Sequence, residues 1–595
     1  MTFFFARLPP FAAMKTLARR LPGPLTLLWA AVMLVLTLTP AQEMPRTPAW
    51  KFLSFDTAAH AGVFAVLAGL AGLWARQRPR LRYPASLVLA GCLAFGALIE
   101  GLQYAMQLGR HAEWTDLLSD GIGAALGLAL ATVAGRRLLP ASLGLALLLL
   151  PRPAPAQTTT GPDLPRARRT IAALAAPKMH GRGYVQQGEH LAAAYLRSRL
   201  RQLGLQPLAP DYTQPFTLDV NTFPGKMELQ VAPVSTAITQ PFWPSRSLRA
   251  GIDFIAAPAS AGTVKRMPAI AFRLDTLAFT NASGQQALQQ QIRQLNLPGQ
   301  GLGPPVLVLT APEEKRLATL PLRVQQTLDS IPNRVVLVPK LTASLSTTQS
   351  PAIRLEALDT AAVWRLRAHN GSAGLFILTL DAQLRHNYLT QNLAAIVRGS
   401  AQPDSFLVVS AHYDHLGMMG KGTYFPGAND NASGVALLLE LAAHYARPEN
   451  RPACSVVFLL FGAEEAGLIG SNYFVQHPLV PLARIKFLLN LDLLGTGEEG
   501  ATVVNGRVHE AAFARLTALN AARHYLPRLT ARGRAANSDH FPFSEAGVPA
   551  FFLYTRGGSQ AYHDVRDQPA ALSLAGFAGA FGLARDFLDE LGAAR

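Results

Sequence analysis

The chain changes character near Ala156, and this change limits the folds open to it. After this residue, short runs rich in Val, Ile, Leu and Phe alternate with helical patterns. Before it, apolar runs lie at residues 24–39, 58–74, 85–104 and 117–134. Each run approaches the roughly 20 residues that a helix needs to cross a bilayer. We therefore expect a membrane part followed by a globular part.

The amino-acid composition excludes several classes of protein. Of the 595 residues, 50% are hydrophobic and only 15% are charged, which excludes a disordered protein. The net charge is +17, but no dense basic stripe with interleaved aromatic residues is present, so nucleic acid is not an expected partner. The two cysteines, Cys92 and Cys454, are too few for a disulfide framework or a thiolate zinc site.

We predict a four-helix transmembrane bundle over residues 1–137. Arginine and lysine cluster before the first apolar run, between the second and third runs, and after the fourth. The positive-inside rule then places the N-terminus and those loops in the cytoplasm. The lipid bilayer is thus an expected partner of residues 1–150.

Residues 138–156 have the pattern of a secretory signal at an internal position. Arg136 and Arg137 precede a short apolar core, which ends in Ala154-Pro-Ala156. Two outcomes stay open: a fifth membrane segment, or cleavage after Ala156. Either outcome places residues 157–595 outside the cytoplasmic membrane, on its periplasmic or extracytoplasmic side.

The globular part has the rhythm of an α/β fold, in which a mixed, mainly parallel sheet lies between helices. We expect this domain over residues 157–244 and 366–595. The intervening residues 245–365 are rich in Pro, Gln and Thr and contain short strand-like runs. They predict an inserted β-rich domain, which serves either as a lid or as a structural insertion.

Histidines and carboxylates recur where the predicted strands end. Open α/β sheets place their ligand sites at these ends. Each cluster alone also fits a polar loop or a helix cap, and the Asn-Asp-Asn-Ala-Ser-Gly turn fits one especially well. Donors of these types, without thiolates, suit a divalent metal such as zinc, and a shared carboxylate suits two ions. The donors are His412, Asp414, Asp430, Glu464, Glu465, Asp492 and His563.

The motifs, in this order, resemble the M28 family of zinc aminopeptidases. They are His-Tyr-Asp-His-Leu-Gly from His412, Gly-Ala-Asn-Asp-Asn-Ala-Ser-Gly around Asp430, Gly-Ala-Glu-Glu-Ala-Gly, Asn-Leu-Asp-Leu-Leu-Gly and Ser538-Asp-His-Phe-Pro-Phe. The resemblance covers roughly residues 165–245 and 370–595. It implies an α/β zinc-exopeptidase fold, and it places residues 245–365 where the family often carries a protease-associated domain.

The resemblance also implies a role for each donor. One zinc ion would be held by His412 and Asp492, and the second by Glu465 and His563. Asp430 would bridge the two ions, and its bond to Asn431 resembles a cis peptide of the family. The remaining three roles are those of Glu464 as general base, Asp414 as the partner that orients His412, and Tyr562 as the group that steadies the reaction oxyanion.

These roles predict an exported two-zinc exopeptidase, in the first place an aminopeptidase, that acts on the N-termini of peptides or proteins. Two alternatives on the same fold are a glutaminyl cyclase, which works with one zinc ion, and a non-catalytic binding ectodomain. The complete set of donors disfavours both. No His-Glu-x-x-His or Gly-x-Ser-x-Gly motif occurs, which disfavours other hydrolase classes.

Residues 1–137 resemble the VanZ-like membrane family. The resemblance depends on Glu100-x-x-Gln103 in the third apolar run and on Arg110 followed by Asp116 before the fourth. Where that family often has Asn, this chain has Asp120. No biochemical activity follows from this resemblance, and the polar residues equally fit a role in holding the helices together.

Overall fold

The computed structural model describes residues 22–38, 55–78, 81, 84–106, 114–133, 161–233, 246–273, 281–295, 306–331, 333–358 and 374–593. The chain forms two compact units, Met1–Gln157 and Thr158–Arg595. The boundary between them lies next to Ala156, where the sequence changes character.

The described residues of the first unit form four helices. They are α1 (Pro22–Leu38), α2 (Phe55–Ala75), α3 (Pro84–Met106) and α4 (Trp114–Val133). Their apolar side chains share a core that includes Phe64, Cys92 and Ala124. Helices α2 and α4 meet closely, because a Cβ atom on Gly127 would lie 2.0 Å from the carbonyl oxygen of Ala65. A side chain at residue 127 would force the two backbones apart.

Over the parts of the chain that the structure describes, no helix has both the length and the apolarity needed to cross a membrane. Helix α1, for example, has 17 residues where a span needs about 20. The transmembrane bundle predicted for residues 1–137 therefore receives no support. The signal-like residues 138–156, and Arg110 of the VanZ-like pattern, lie outside the described residues.

The second unit is an α/β structure. The α-helices that its described residues form are α5 (Leu164–Leu174), α6 (Gly188–Gln202), α7 (Ala282–Leu295), α8 (Ala311–Leu317), α9 (Leu322–Asp329), α10 (Gly434–Tyr445), α11 (Ile469–Gln476), α12 (Glu510–Arg523), α13 (His540–Glu545) and α14 (Phe577–Ala593). Short 3₁₀ turns lie at Pro177–Arg182, Val185–Gln187, Pro210–Tyr212, Pro448–Asn450, Leu482–Arg484 and Pro569–Ala571.

Nineteen described strands build two large sheets and one small ribbon. In chain order they are β1 (Gln206–Pro207), β2 (Thr213–Thr222), β3 (Met227–Pro233), β4 (Arg246–Arg249), β5 (Phe254–Ala256), β6 (Thr263–Arg273), β7 (Val306–Thr310), β8 (Asn333–Val338), β9 (Arg354–Leu358), β10 (Gly374–Leu380), β11 (Gln383–Val397), β12 (Gln402–His412), β13 (Met418–Met419), β14 (Thr423–Tyr424), β15 (Cys454–Phe461), β16 (Ile485–Leu491), β17 (Ala501–Val504), β18 (Leu529–Ala531) and β19 (Ala550–Thr555). Strands β13 and β14 form the ribbon.

The first sheet has nine strands in the order β1-β11-β15-β12-β16-β19-β17-β18, and β2 also pairs with β11. Its four central strands, β15, β12, β16 and β19, are parallel. The pairings of β11 with β15 and of β19 with β17 are antiparallel. The predicted mixed α/β sheet is therefore confirmed, although the parallel order is limited to the centre and to the β17–β18 pair.

Burial on both faces explains the apolar strand patterns. All eight residues of β15 are buried. One face of the sheet packs against α5, α6, α10 and α14 in the largest core cluster. The other face packs against Phe474 of α11 and Phe543 of α13. A parallel strand covered on both faces shows a continuous apolar run rather than an alternating one.

The second sheet has boundaries that differ from those predicted for the insertion. Its eight strands run β4-β3-β10-β6-β7-β8-β9-β5 and extend from Met227 to Leu380, beyond the predicted 245–365 at both ends. Met227 and Leu380 are partners in the antiparallel pair of β3 and β10, which closes the inserted domain. Strands β6 to β9 are parallel, and helices α7 to α9 connect three of them, so the insertion is itself α/β and not only β-rich.

Candidate metal centre

The central strands of the nine-stranded sheet bring polar side chains to one edge. His412 is the last residue of β12, Glu464 and Glu465 follow β15, and Asp492 follows β16. Parallel strands end at the same edge of a sheet, where open α/β folds bind their ligands. A longer loop after β19 brings His563 to the same place.

Three of these side chains form the first group of donors. His412 Nε2 lies 3.3 Å from Asp430 Oδ1 and 3.5 Å from Asp492 Oδ1. All three residues are buried, and their donor atoms lie within 4.8 Å of one another. Ser538 donates a hydrogen bond of 3.0 Å to Asp492 Oδ2, which leaves Asp492 Oδ1 directed at the group.

The second group uses the other oxygen of Asp430. His563 Nε2 lies 3.1 Å from Asp430 Oδ2 and 3.2 Å from Glu465 Oε2. Asp430 thus directs one oxygen at each histidine. The structure brings all five of the predicted metal-ligating residues together at this edge.

Backbone and buried groups hold Asp430 in this orientation. The Asp430–Asn431 peptide bond is cis, as the family resemblance implies. The Asp567 carboxylate accepts hydrogen bonds from the backbone N–H groups of Asn429 and Asp430. Arg182 is fully buried and donates to the carbonyl oxygens of Gly427 and Asp430, at 2.8 and 3.1 Å.

Asp414 has a different contact from the one that was predicted. The Nδ1 atom of His412 lies 3.2 Å from the backbone oxygen of Asp414 but 3.8 Å from its carboxylate, which is beyond hydrogen-bond distance. The carboxylate instead accepts the backbone N–H groups of Glu464 and Glu465, at 3.1 and 3.4 Å. Burial raises the pKa of this carboxyl to about 6.

Glu464 and Tyr562 border the two groups. The Oε2 atom of Glu464 lies 3.9 Å from His412 Nε2. Burial raises the pKa of Glu464 well above its usual value, and the charges of Asp539 and Glu465 raise it further against the opposing effect of His412. Tyr562 is half exposed, and its ring stacks on that of His563 with a centroid distance of 3.8 Å.

The charge of this cluster fits bound cations. Four carboxylates, those of Asp430, Glu464, Glu465 and Asp492, are gathered around His412 and His563 with little exposure. Within the part of the chain that the structure describes, no side chain or backbone group donates a hydrogen bond to Asp492 Oδ1. Buried carboxylates repel one another and lose hydration unless cations or protons compensate. Imidazole and carboxylate donors are those that zinc prefers when thiolates are absent.

His415 is a further member of the site to which the sequence analysis assigned no role. Its Nδ1 atom lies 2.6 Å from Glu465 Oε1, and both side chains are buried. Because the carboxylate accepts, Nδ1 carries the proton and donates. Among the described residues, no hydrogen-bond partner contacts the Nε2 atom of this buried ring.

In the sequence, His415 is the fourth residue of the His-Tyr-Asp-His-Leu-Gly motif, whereas Arg182 lies between Gly181 and Gly183, outside the five motifs quoted above. Neither residue stands directly at the end of a strand, so the sequence pattern does not indicate which residues it contacts. Their buried positions depend on contacts between distant parts of the chain. One such contact is the hydrogen bond from the His415 N–H to the Arg182 carbonyl oxygen.

The two nitrogens of His415 permit a matched test of its contact. An asparagine amide places its nitrogen near the Nδ1 position of histidine, whereas a glutamine amide reaches the Nε2 position. We expect His415→Asn to keep zinc affinity close to that of the unchanged protein. We expect His415→Gln to lower the affinity by about 10- to 100-fold, the usual effect of losing a group that orients a metal ligand. Competition with a chelating dye measures both, and equal affinities would contradict this role of His415.

Comparison with known proteins places this site in context. Residues 392–587 match the family model described as Peptidase family M28. A probable zinc metalloprotease of Pyricularia oryzae is 41% identical over 113 residues, which cover 18% of this chain and 22% of that protein. Aminopeptidase YwaD of Bacillus subtilis is 33% identical over 176 residues, which cover 29% of this chain and 36% of that protein. The chain thus matches 22% of the length of the first relative and 36% of the length of the second.

A solved structure extends the likeness of the fold. The zinc aminopeptidase BSAP from Bacillus subtilis aligns with a TM-score of 0.51 and 19% identity, covering 72% of this chain and 95% of that one. At this identity the likeness concerns the fold alone. The family match over residues 392–587 and the relatives support a zinc-dependent metallopeptidase domain of the M28 type in this chain.

Proposed function

We propose that this domain is a two-zinc aminopeptidase that removes residues from the N-termini of peptides or proteins. The observation that carries the proposal is the division of Asp430 between two donor groups. One of its oxygens faces His412 and the other faces His563. A carboxylate shared in this way suits two metal ions side by side.

In this proposal, each ion has two further protein donors. His412 and Asp492 would hold one ion, and Glu465 and His563 would hold the other. Bound zinc ions polarise a carbonyl group and lower the pKa of water, which is the chemistry that peptide hydrolysis needs. The protein keeps the donors in place through Ser538, which hydrogen-bonds to Asp492, and through the groups that hold Asp430.

Glu464 is proposed as the general base. It accepts a proton from the attacking water and returns it to the amine that leaves. Burial raises the pKa of Glu464 above its usual value, and this is the direction in which a carboxylate becomes a stronger proton acceptor. Tyr562 keeps its proton, since the partial burial of its side chain and the surrounding carboxylates raise its pKa, and its hydroxyl is available to donate to the oxyanion.

The substrate class is supported by the relatives rather than by the metal site. Aminopeptidase YwaD, by its name, acts on N-termini, and the aligned BSAP structure is that of a zinc aminopeptidase. The same metal chemistry serves other exopeptidases. The choice among them depends on what binds the free α-amino group of the substrate.

We expect residues 157–595 to hydrolyse aminoacyl anilides that have a free N-terminus and to leave N-acetylated ones intact. Activity should disappear after chelation and return when zinc is added, because the carboxylate cluster requires cations. Release of the coloured aniline measures the rate. Cleavage of blocked substrates alone, or none by a folded protein loaded with two zinc ions, would contradict the aminopeptidase proposal.

The variant Glu464→Gln tests whether Glu464 is the general base or a metal ligand. We expect this change to leave the zinc content unchanged and to lower kcat by about 100-fold or more, the scale of a lost general base. Glu465→Gln is the matched control, because the neighbouring side chain should lose zinc and activity together. Metal analysis and steady-state kinetics distinguish the two variants. Loss of zinc from Glu464→Gln instead would mean that base and ligand are exchanged.

We also infer that the peptidase domain acts on the outer side of the cytoplasmic membrane. This inference rests on the signal-like sequence of residues 138–156, and the proposal that residues 1–137 are a VanZ-like unit in the lipid bilayer rests likewise on sequence. If cleavage follows Ala156, N-terminal sequencing of the exported protein should begin at Gln157. A cytoplasmic product, found by fractionation of cells that express the full chain, would contradict export.

A further inference from the structure

The inserted sheet reaches the loop that carries Tyr562 and His563. Lys340 lies two residues beyond β8, in the inserted domain. Its Nζ atom donates hydrogen bonds to the backbone oxygens of Gln560 and Tyr562, at 2.6 and 3.0 Å. One side chain of the insertion therefore holds two backbone groups of this loop, directly before His563.

Residue Ala343 of the same segment contacts His563 twice. The backbone N–H of Ala343 donates to the His563 carbonyl oxygen at 3.2 Å. The carbonyl oxygen of Ala343 accepts from Nδ1 of His563 at 2.7 Å. Because Nδ1 donates, the lone pair of the neutral ring is on Nε2, the atom that faces Asp430 and Glu465. The insertion thus sets both the place and the tautomer of this histidine.

The loop between β19 and His563 depends on such outside contacts. It contains Gly557 and Gly558, which both have positive φ, at 93° and 67°. Gln560 and Tyr562 are exposed. Adjacent glycines leave the chain many alternative conformations, so the loop needs contacts elsewhere to keep His563 in place.

The hydrophobic core of the insertion continues beneath both histidine loops. Leu416, next to His415, belongs to this core together with Met419 and Phe425. Val565, two residues after His563, packs against the same cluster. Side chains of the peptidase domain and of the insertion are therefore buried together directly behind the metal-binding edge.

We propose that the inserted domain is a structural part of the metal centre and that Lys340 is a positioning residue for His563. This inference rests on the proposed metal site. It differs from a lid, which would control access of the substrate without changing how metal is held. Lys340 and the Ala343 backbone act through His563 and fix the donor atom that it presents.

Three single variants test the proposal in the complete 157–595 protein. Lys340→Met keeps the aliphatic stem but removes both hydrogen bonds, whereas Lys340→Arg keeps donors at the same place. Lys315→Met is the matched control, because Lys315 is an exposed residue on α8 of the same inserted domain. Two measurements apply to each variant: zinc affinity by competition with a chelator, and hydrogen exchange of the backbone amides of residues 557–563 in the metal-free protein.

We expect Lys340→Met to weaken the affinity for one of the two zinc ions by about 10-fold or more. Exchange of residues 557–563 should become faster while exchange of the central strands stays unchanged. Lys340→Arg should recover most of the affinity, and Lys315→Met should match the unchanged protein in both measurements.

The possible failures can be told apart. If zinc affinity in Lys340→Met equals that of Lys315→Met, the insertion does not serve the metal centre, whatever the exchange rates are. If the unchanged protein binds no zinc, the proposed function fails. The exchange rates then show by themselves whether Lys340 holds the loop, and equal rates in the two methionine variants would overturn that part as well.

Discussion

Repulsion among four buried carboxylates is the constraint on which the rest of the structure depends. Asp430, Glu464, Glu465 and Asp492 approach one another at a sheet edge where little water remains to screen them. Nearby donors offset part of this cost, and Arg182 directs its buried guanidinium at carbonyl oxygens of the Asp430 turn. Such an arrangement is stable only when cations or protons complete it, and a protein that keeps it has a use for those cations.

Much of this site could be predicted because sequence order and spatial order coincide in a parallel sheet. Strand β12 ends at His412, β15 ends shortly before Glu464, and β16 ends directly before Asp492. Because these strands are parallel neighbours, donors that are far apart in the chain meet at one edge of the sheet. The apolar runs reveal where each strand ends. Burial of the apolar strands thus fixes their register, and this register places the metal-binding side chains next to one another.

Other features could not be predicted because they depend on pairings that leave no local pattern. The true limits of the insertion follow from the pairing of Met227 with Leu380, two residues whose neighbourhoods look like ordinary strands. The contacts of the Asp414 carboxylate could not be predicted either. The backbone oxygen of Asp414 contacts the His412 ring, but its carboxylate accepts backbone N–H groups from the loop after β15.

The hydrogen bonds of the Asp414 carboxylate explain how two adjacent glutamates, Glu464 and Glu465, come to differ in pKa. By accepting both backbone N–H groups, its carboxylate fixes the chain where Glu464 and Glu465 point in different directions. Glu465 lies between His415 and His563, and although burial opposes its charge, the histidines lower its pKa to about 2. Burial, together with the charges of Asp539 and Glu465, raises the pKa of Glu464 against the opposing effect of His412, which lies 3.9 Å away. One residue therefore stays ionised and suits a metal, while its neighbour can take up and release a proton.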